Sequence, residues 1–587
     1  MTDLTLFRVH NLYYTMLVYC IRESVRTITM IKERITTSLA GLVCAMVFAG
    51  HVSASNWQQE SGKVTHQEKL RGTITPERKW WDLIHYHLNV KVDPETKLFS
   101  GENTMTYKVL AKGERLQIEL QAPMKLEKVH QNGKALEVEQ DGYSYFITPA
   151  SKQEIGSEQK ITMYFSGQPV TAKNAPWDGG ITWKKDSNGL DFIATSNQGI
   201  GSSIWWPNKD HPADEPNNGV LISVEVPEHL MDVSNGRLIK VEHNKIDKTK
   251  IYHWQVVNPI NNYGVNINIG DYVHFGEKYQ GEKGQLDMDY YVLRENLAKA
   301  RKQFKEAKRT IEAFEHWFGP YPFYEDSYKL VEAPYLGMEH QSSVTYGNGY
   351  QNGYLGRDRS STGPGLLFDF IIVHESGHEW FANNITNKDV ADMWIHESFT
   401  NYSESLFLEY HFTKEQAFEY VRGQRMNIGN QSPIIGEYNA NRGGSGDMYD
   451  KGGNMLHTIR QVINNDRKWR EILRGLGKVF YHQTVTTQDI ENYISTQSGI
   501  DLSKVFDQYL RDIRIPTFEY FIKDKVMKIR WGNVVKGFDM PLRVTIAGKT
   551  QWLAPTATWT TVELEQENPN IAVDANFYIS TLSVLGH

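Results

Sequence analysis

Cysteine is almost missing from this chain: 587 residues contain two, Cys20 and Cys44. Both lie near the N-terminus, so the rest of the sequence can build neither a disulfide framework nor a thiolate metal site. Positive charge is also short. The formal net charge is −7, whereas binding to a phosphate backbone requires a basic face. Nucleic acid is therefore not an expected partner. Long apolar runs are missing as well. The run from Leu39 to Gly50 is too short to span a bilayer comfortably. With Lys32–Arg34 before it and Val52-Ser53-Ala54 after it, this run reads as a signal peptide starting at Met30, behind an upstream extension. The expectation is an exported protein, periplasmic or secreted, with a mature chain from about Ser55. That chain would contain no cysteine and no stable membrane span.

What remains is ordinary globular material. Hydrophobic residues make up 40% and charged residues 23%, and the length calls for several domains. Aromatics reach 12%, which fits large β-rich cores. Ile84, Tyr86, Leu88, Val90 and Val92 alternate with polar residues up to the turn Asp93-Pro94, the period-two pattern of a strand with one buried face. His85 and His87 fall on the polar face and read as solvated strand residues. Similar patterns continue to about Phe275, so residues 65–275 read as a β-rich N-terminal domain. From Asn296 the pattern turns helical, with one amphipathic helix predicted to end at Gly319-Pro320. Further helices are expected over 415–425, 454–464 and 503–511, within a catalytic domain of residues 276–515. Short strands rich in Val, Ile, Thr and Trp return from Pro516, and residues 516–587 read as a small β-sandwich. The fold class expected is multidomain α+β.

One segment carries distinctive chemistry. His374-Glu375-Ser376-Gly377-His378 puts two histidines four apart, on one face of a helix. Both imidazoles can then reach one Zn²⁺, and Glu375 lies where it can meet an activated water. A catalytic zinc needs a third ligand and an open position. Glu397 follows His378 after eighteen intervening residues, and a second helix can return its carboxylate to the metal. One zinc per chain is expected. His396 adjoins Glu397, but Glu397 already fits the spacing. Glu404, one to two turns further on, is a candidate to orient a ligand histidine.

At these residues the sequence resembles the gluzincin zinc aminopeptidases, the family of aminopeptidase N and leukotriene hydrolase. The resemblance extends over roughly residues 65–587. Gly337-Met338-Glu339-His340 is similar to the family's Gly-x-Met-Glu-Asn run, and Tyr449-Asp450-Lys451-Gly452 to its Tyr-Glu-Lys-Gly. Gln198 lies ahead of Pro207-Asn-Lys-Asp210-His-Pro212, as a glutamine does in the family. His340, His396 and Ser398 stand where the family usually has Asn, Asn and Gly. The resemblance implies a saddle-like β-rich domain, a thermolysin-like catalytic domain and a β-sandwich. It also implies roles. Gly337 and Met338 would form the strand edge along which a peptide lies. Glu339 and Gln198 would hold the substrate's α-ammonium, and Tyr449 would donate its hydroxyl to the transition state. The reaction implied is hydrolysis of the first peptide bond of peptides with a free N-terminus, with Glu375 as general base. A zinc endopeptidase, an epoxide hydrolase like some family members, and a non-catalytic binding protein are the alternatives. Nothing in the sequence sets the oligomeric state.

Overall fold

The computed structural model describes residues 62–584, so the expected leader over residues 1–54 lies outside the described residues. The polar stretch before Pro76 opens with a short helix, His66–Gly72. Thr65 and Glu68 cap it reciprocally, each side chain taking the other's backbone N–H, a local signal in a segment that was not expected to be helical.

The alternating strand forms over Trp81–Asp93, with Tyr86, Leu88, Val90 and Val92 buried and His85 and His87 half-buried. It pairs antiparallel with Leu98–Val109 and parallel with Val220–Pro227, at the middle of an eight-stranded sheet. A four-stranded sheet combines Met231–Ser234, Ile267–Gly270, Asp191–Ser196 and Gly180–Lys185 in that order. Asp191–Ser196 runs antiparallel to Ile267–Gly270, with Ala194 opposite Asn268. The residues that follow Ser196 and those that precede Ile267 therefore leave the sheet at the same end, which places Gln198 and Tyr263 together.

Next comes a five-stranded mixed sheet: Tyr272–Gly281, Gly284–Leu293, Tyr328–Glu332, Val344–Tyr346 and, at its edge, Gly337–Met338. Gly337 pairs with Tyr346 and Met338 with Thr345, antiparallel. Among the described residues no further strand lies on the outer side of this edge strand, and such an edge is one that an extended chain can join. The helix expected from Asn296 is interrupted. Leu297–Gln303 and Lys305–Phe318 are separated at Phe304, where ψ is 0°. The Phe304 ring turns into a cluster with Tyr290, Tyr346 and Tyr350, tying the helix to the sheet. Gly319, at φ +93°, ends it, a conformation that favours glycine.

Three helices matter for the site: α1 (Phe370–Gly377), α2 (Trp394–His411) and α3 (Asp450–Ile463). The last begins four residues before the expected Asn454. Around them stand Lys414–Gly423 and Ser503–Leu510, near the expected positions. A four-stranded and a three-stranded sheet then share Phe518, Met527, Trp531, Leu542 and Val544 as a core, forming the C-terminal sandwich. The protein is thus a multidomain α+β molecule. No helix among the described residues is long and apolar enough to cross a membrane.

Candidate metal centre and active site

Helix α1 is short and almost wholly buried, so a sequence-wide hydrophobic stripe cannot orient it. Its N-terminal cap fixes it instead. Asp369 accepts from the Ile372 N–H at 3.4 Å, and from Gln303 Nε2, the Tyr346 hydroxyl and Asn348 Nδ2 at 2.8–2.9 Å. This network ties α1 to the interrupted helix and to the five-stranded sheet. His374 lies in the last turn of α1, and His378 caps its C-terminus.

Helix α2 crosses α1 and brings Glu397 to both histidines. Glu397 Oε2 lies 3.4 Å from His378 Nε2 and 3.8 Å from His374 Nε2. The far nitrogens are engaged elsewhere. His374 Nδ1 is 2.8 Å from Glu404 Oε1, and His378 Nδ1 is 3.0 Å from the Phe381 carbonyl oxygen. Both partners are acceptors, so a proton on each Nδ1 satisfies them and makes each Nε2, on the Glu397 side, the nitrogen available to a metal. Glu404 is itself held by the Tyr420 hydroxyl and Gln424 Nε2, and burial pushes its carboxyl up to about 7.

Three ligand atoms from His374, His378 and Glu397 thus lie within 4.8 Å of one another, all buried. Glu397 Oε2 is buried without a hydrogen-bond partner, which is costly for a carboxylate oxygen unless a cation faces it. Two imidazoles and one carboxylate are a donor set that zinc accepts. The group therefore fits a divalent cation. Burial disfavours a charged His378, but Glu397 opposes this and holds the imidazole up to about 10; a divalent cation at that point would take over the countercharge. Burial, then the charge of His378, pushes His374 well below its usual range.

Glu375 sits beside the group on α1. Burial and then the charge of Glu339 push its carboxyl well above the usual range. Close packing sets its position. A Cβ on Gly337 would lie 2.7 Å from Ile371 Cγ2 and 3.1 Å from Glu375 Oε1, so only glycine lets the edge strand lie against α1 here. Glu339 follows that strand, is 3% exposed, and places a carboxylate oxygen within 4.8 Å of Glu375 and His378.

Tyr449 is the residue before α3. Its ring lies 6.1 Å from the His374 ring, at 24°. Burial and the charges of Glu397, Glu339 and Glu375 raise its phenol well above the usual value, so it stays protonated as a donor. Ser398 Oγ donates to the Met448 carbonyl oxygen at 2.7 Å, and a Cβ on Gly452 would overlap the Ser398 Oγ itself. α3 and Tyr449 are thereby locked onto α2.

Comparison with known proteins finds two family matches in tandem. The Peptidase M1 N-terminal domain matches residues 83–263, and the Peptidase family M1 domain matches residues 302–509. The chain belongs to peptidase family M1. It is 22% identical over 476 residues to a leucyl aminopeptidase of Saccharolobus solfataricus, covering 77% of this chain and 58% of that one. It is 26% identical over 246 residues to an aminopeptidase N of Lactobacillus helveticus, covering 37% of this chain and 27% of that one. The chain thus spans less than two thirds of the length of these relatives. An M1 zinc metallopeptidase from Deinococcus radiodurans shares the fold, with TM-score 0.63 at 20% identity over 75% of this chain and 95% of that one. A mutant of that protein was solved bound to a Tyr-ser-ala substrate, with TM-score 0.62, 20% identity and coverage of 74% and 95%.

Within this M1 framework, His374, Glu375, His378, Glu397, Glu339 and Tyr449 converge, with Gly337 and Met338 on the adjacent strand edge. Gln198 also arrives, but its Nε2 donates to Glu397 Oε1 at 3.1 Å, so in this structure the amide meets the carboxylate of the metal group and not Glu339. The three departures from the family pattern have separate fates. His396 faces away from the metal group, its Nε2 accepting from the Asn387 N–H at 2.8 Å. Ser398 makes the Met448 bond described above. His340 is fully buried, neither ring nitrogen has a partner, and burial pushes it down to about 3, so it is neutral. Tyr263, absent from every motif in the sequence, donates its hydroxyl to Glu339 Oε1 at 3.1 Å. It lies 76 residues from Glu339, in a segment with no motif of its own.

Proposed function

We propose that the protein is a zinc-dependent aminopeptidase that hydrolyses the N-terminal bond of peptides. The observation that carries this reading is the placement of Glu339: a buried carboxylate at the end of a free strand edge, within 4.8 Å of Glu375 and His378. A carboxylate there suits a substrate cation one residue away from the bond under attack. His374, His378 and Glu397 would hold one zinc, which when bound supplies Lewis-acid polarisation of the scissile carbonyl and of a water.

The chain's own groups do the rest. A peptide lies along Gly337 and Met338, and Glu339 holds its α-ammonium, which fixes the first peptide bond in register. Glu375, its proton affinity raised by burial, accepts the proton of the attacking water and passes it to the leaving nitrogen. The Tyr449 hydroxyl donates to the oxygen on which negative charge develops. Gln198 restrains Glu397 through its amide.

The test is hydrolysis of aminoacyl-coumarin amides by the purified protein. Activity should vanish with a chelator and return with zinc, at near one equivalent of zinc per chain. Glu375→Gln should keep its zinc and lose kcat by about 10²–10⁴. Full activity in that variant would remove Glu375 from the mechanism.

The same proposal includes export to the periplasm or medium. The supporting features are the Lys32–Arg34 cluster, the apolar run after it and Val52-Ser53-Ala54. An intact N-terminus on protein recovered from the cytoplasm of its native host would contradict it.

A further inference from the structure

The turn Asn262–Gly264 lies outside every motif, yet it is bound closely to the segment that carries Glu339. Asn261 Oδ1 caps the turn by accepting from the Gly264 N–H at 2.6 Å. Asn261 Nδ2 donates to Asn383 Oδ1 at 3.2 Å, and Asn383 Nδ2 donates to the Glu339 carbonyl oxygen at 2.9 Å. Asn235 makes a second bridge, since its Nδ2 donates both to the Gly264 carbonyl oxygen at 2.8 Å and to the Gln341 carbonyl oxygen at 2.7 Å. Two bridges, made by Asn261 with Asn383 and by Asn235, therefore hold the turn and residues 339–341 at a fixed separation. Across that gap the Tyr263 hydroxyl reaches Glu339 Oε1 at 3.1 Å.

The consequence lies in the geometry of the carboxylate. A glutamate has three side-chain torsions, and a free one samples many orientations. Tyr263 provides the only side-chain hydrogen bond to the Glu339 carboxylate among the described residues, and it occupies one oxygen. Burial and the charges of Glu339 and Glu397 keep the phenol protonated, so it acts as a donor. The second oxygen is left to meet a ligand. The phenol is half-buried and comes from the β-rich N-terminal part, while Glu339 belongs to the catalytic sheet.

We propose that Tyr263 is a positioning residue for amine recognition: it pins one oxygen of Glu339 so that the other faces the α-ammonium of the substrate. The inference rests on the aminopeptidase reading and adds a residue that the sequence motifs do not contain. Among the described residues the Tyr263 hydroxyl bonds to Glu339 and to none of the metal group, so its effect should fall on binding of the cation.

The experiment compares Tyr263→Phe, Glu339→Ala and the double variant with the unaltered protein. The substrate is leucyl-coumarin amide, and n-butylamine and n-butanol serve as competing inhibitors. Removing one hydroxyl that orients a charged partner should raise KM and the butylamine Ki by about tenfold, with kcat changed much less. The butanol Ki, zinc content and Tm should stay as they were. In the Glu339→Ala background the same substitution should add less than about twofold, because the two residues act as a unit. Unchanged butylamine binding, equal weakening of butylamine and butanol, or a full additive loss in the double variant would each overturn the proposal. Tyr263→Leu, read by the same ratio of inhibition constants, guards against a folding defect peculiar to one variant. If the unaltered protein does not cleave the substrate at all, the aminopeptidase reading itself fails, and this inference with it.

Discussion

Each histidine of the metal group is fixed from behind, and the two are fixed differently. His378 Nδ1 meets the Phe381 carbonyl oxygen at 3.0 Å and the Thr400 hydroxyl at 3.2 Å, whereas His374 leans on Glu404, which is in turn held by Tyr420 and Gln424. A side-chain partner can be removed without disturbing the chain's course. Glu404→Ala should therefore free the His374 ring and weaken zinc binding by about 10–100-fold. Competition with a chelator of known affinity measures this, and unchanged affinity would show that packing alone orients His374. The two histidines were legible in the sequence because the helical period puts residues four apart on one face. Glu397 was legible because a short gap and one more helix suffice to return it. Tyr263 was not, because it reaches Glu339 through the antiparallel pairing of Asp191–Ser196 with Ile267–Gly270 and through side-chain bridges, none of which leaves a local pattern. The contact of Gln198 with Glu397 was likewise invisible, since spacing reveals which residues meet but not which atoms.

Among the elements, the edge strand Gly337–Met338 and α1 depend on each other most closely. Gly337→Ala introduces a Cβ against Ile371 and Glu375, and the strand or the Glu375 side chain must give way. The expected outcome is a loss of kcat of about tenfold or more with zinc content unchanged, because the water's base is displaced and the ligands are not. Wild-type kcat with normal Tm would mean that the strand shifts freely and does not set Glu375. Element existence followed well from periodicity, and element ends did not. Phe304 interrupts an otherwise helical pattern because its ring joins the Tyr290, Tyr346 and Tyr350 cluster, a tertiary cause. The start of α3 at Asp450 is set by the Ser398 bond to Met448 and by the Gly452 approach. The helix His66–Gly72 was not anticipated either, although its Thr65–Glu68 capping pair is a local signal.

At the scale of the whole molecule, the β-rich part and the catalytic part share buried polar contacts. The Thr386 hydroxyl donates to Glu215 at 2.6 Å, and burial pushes the Glu215 carboxyl up to about 8 from its ordinary 4.5. The folded state thus keeps a proton that the unfolded chain releases between those values. This group's contribution to stability is complete below about pH 4.5 and is lost as pH rises through 8. Glu215→Gln should flatten the decline in Tm between pH 5 and 8 by about 2–4 °C; an identical slope would show that Glu215 is ionised in the folded protein. On the proposed function, the metal group, Glu375 and Glu339 form one site for peptides with a free α-ammonium. A mass-spectrometric time course on one peptide and its N-acetylated twin tests it most directly. The free peptide should shorten by one residue at a time from its N-terminus while the acetylated twin stays intact. Internal cleavage of both at comparable rates would contradict the claim, even with zinc fully bound.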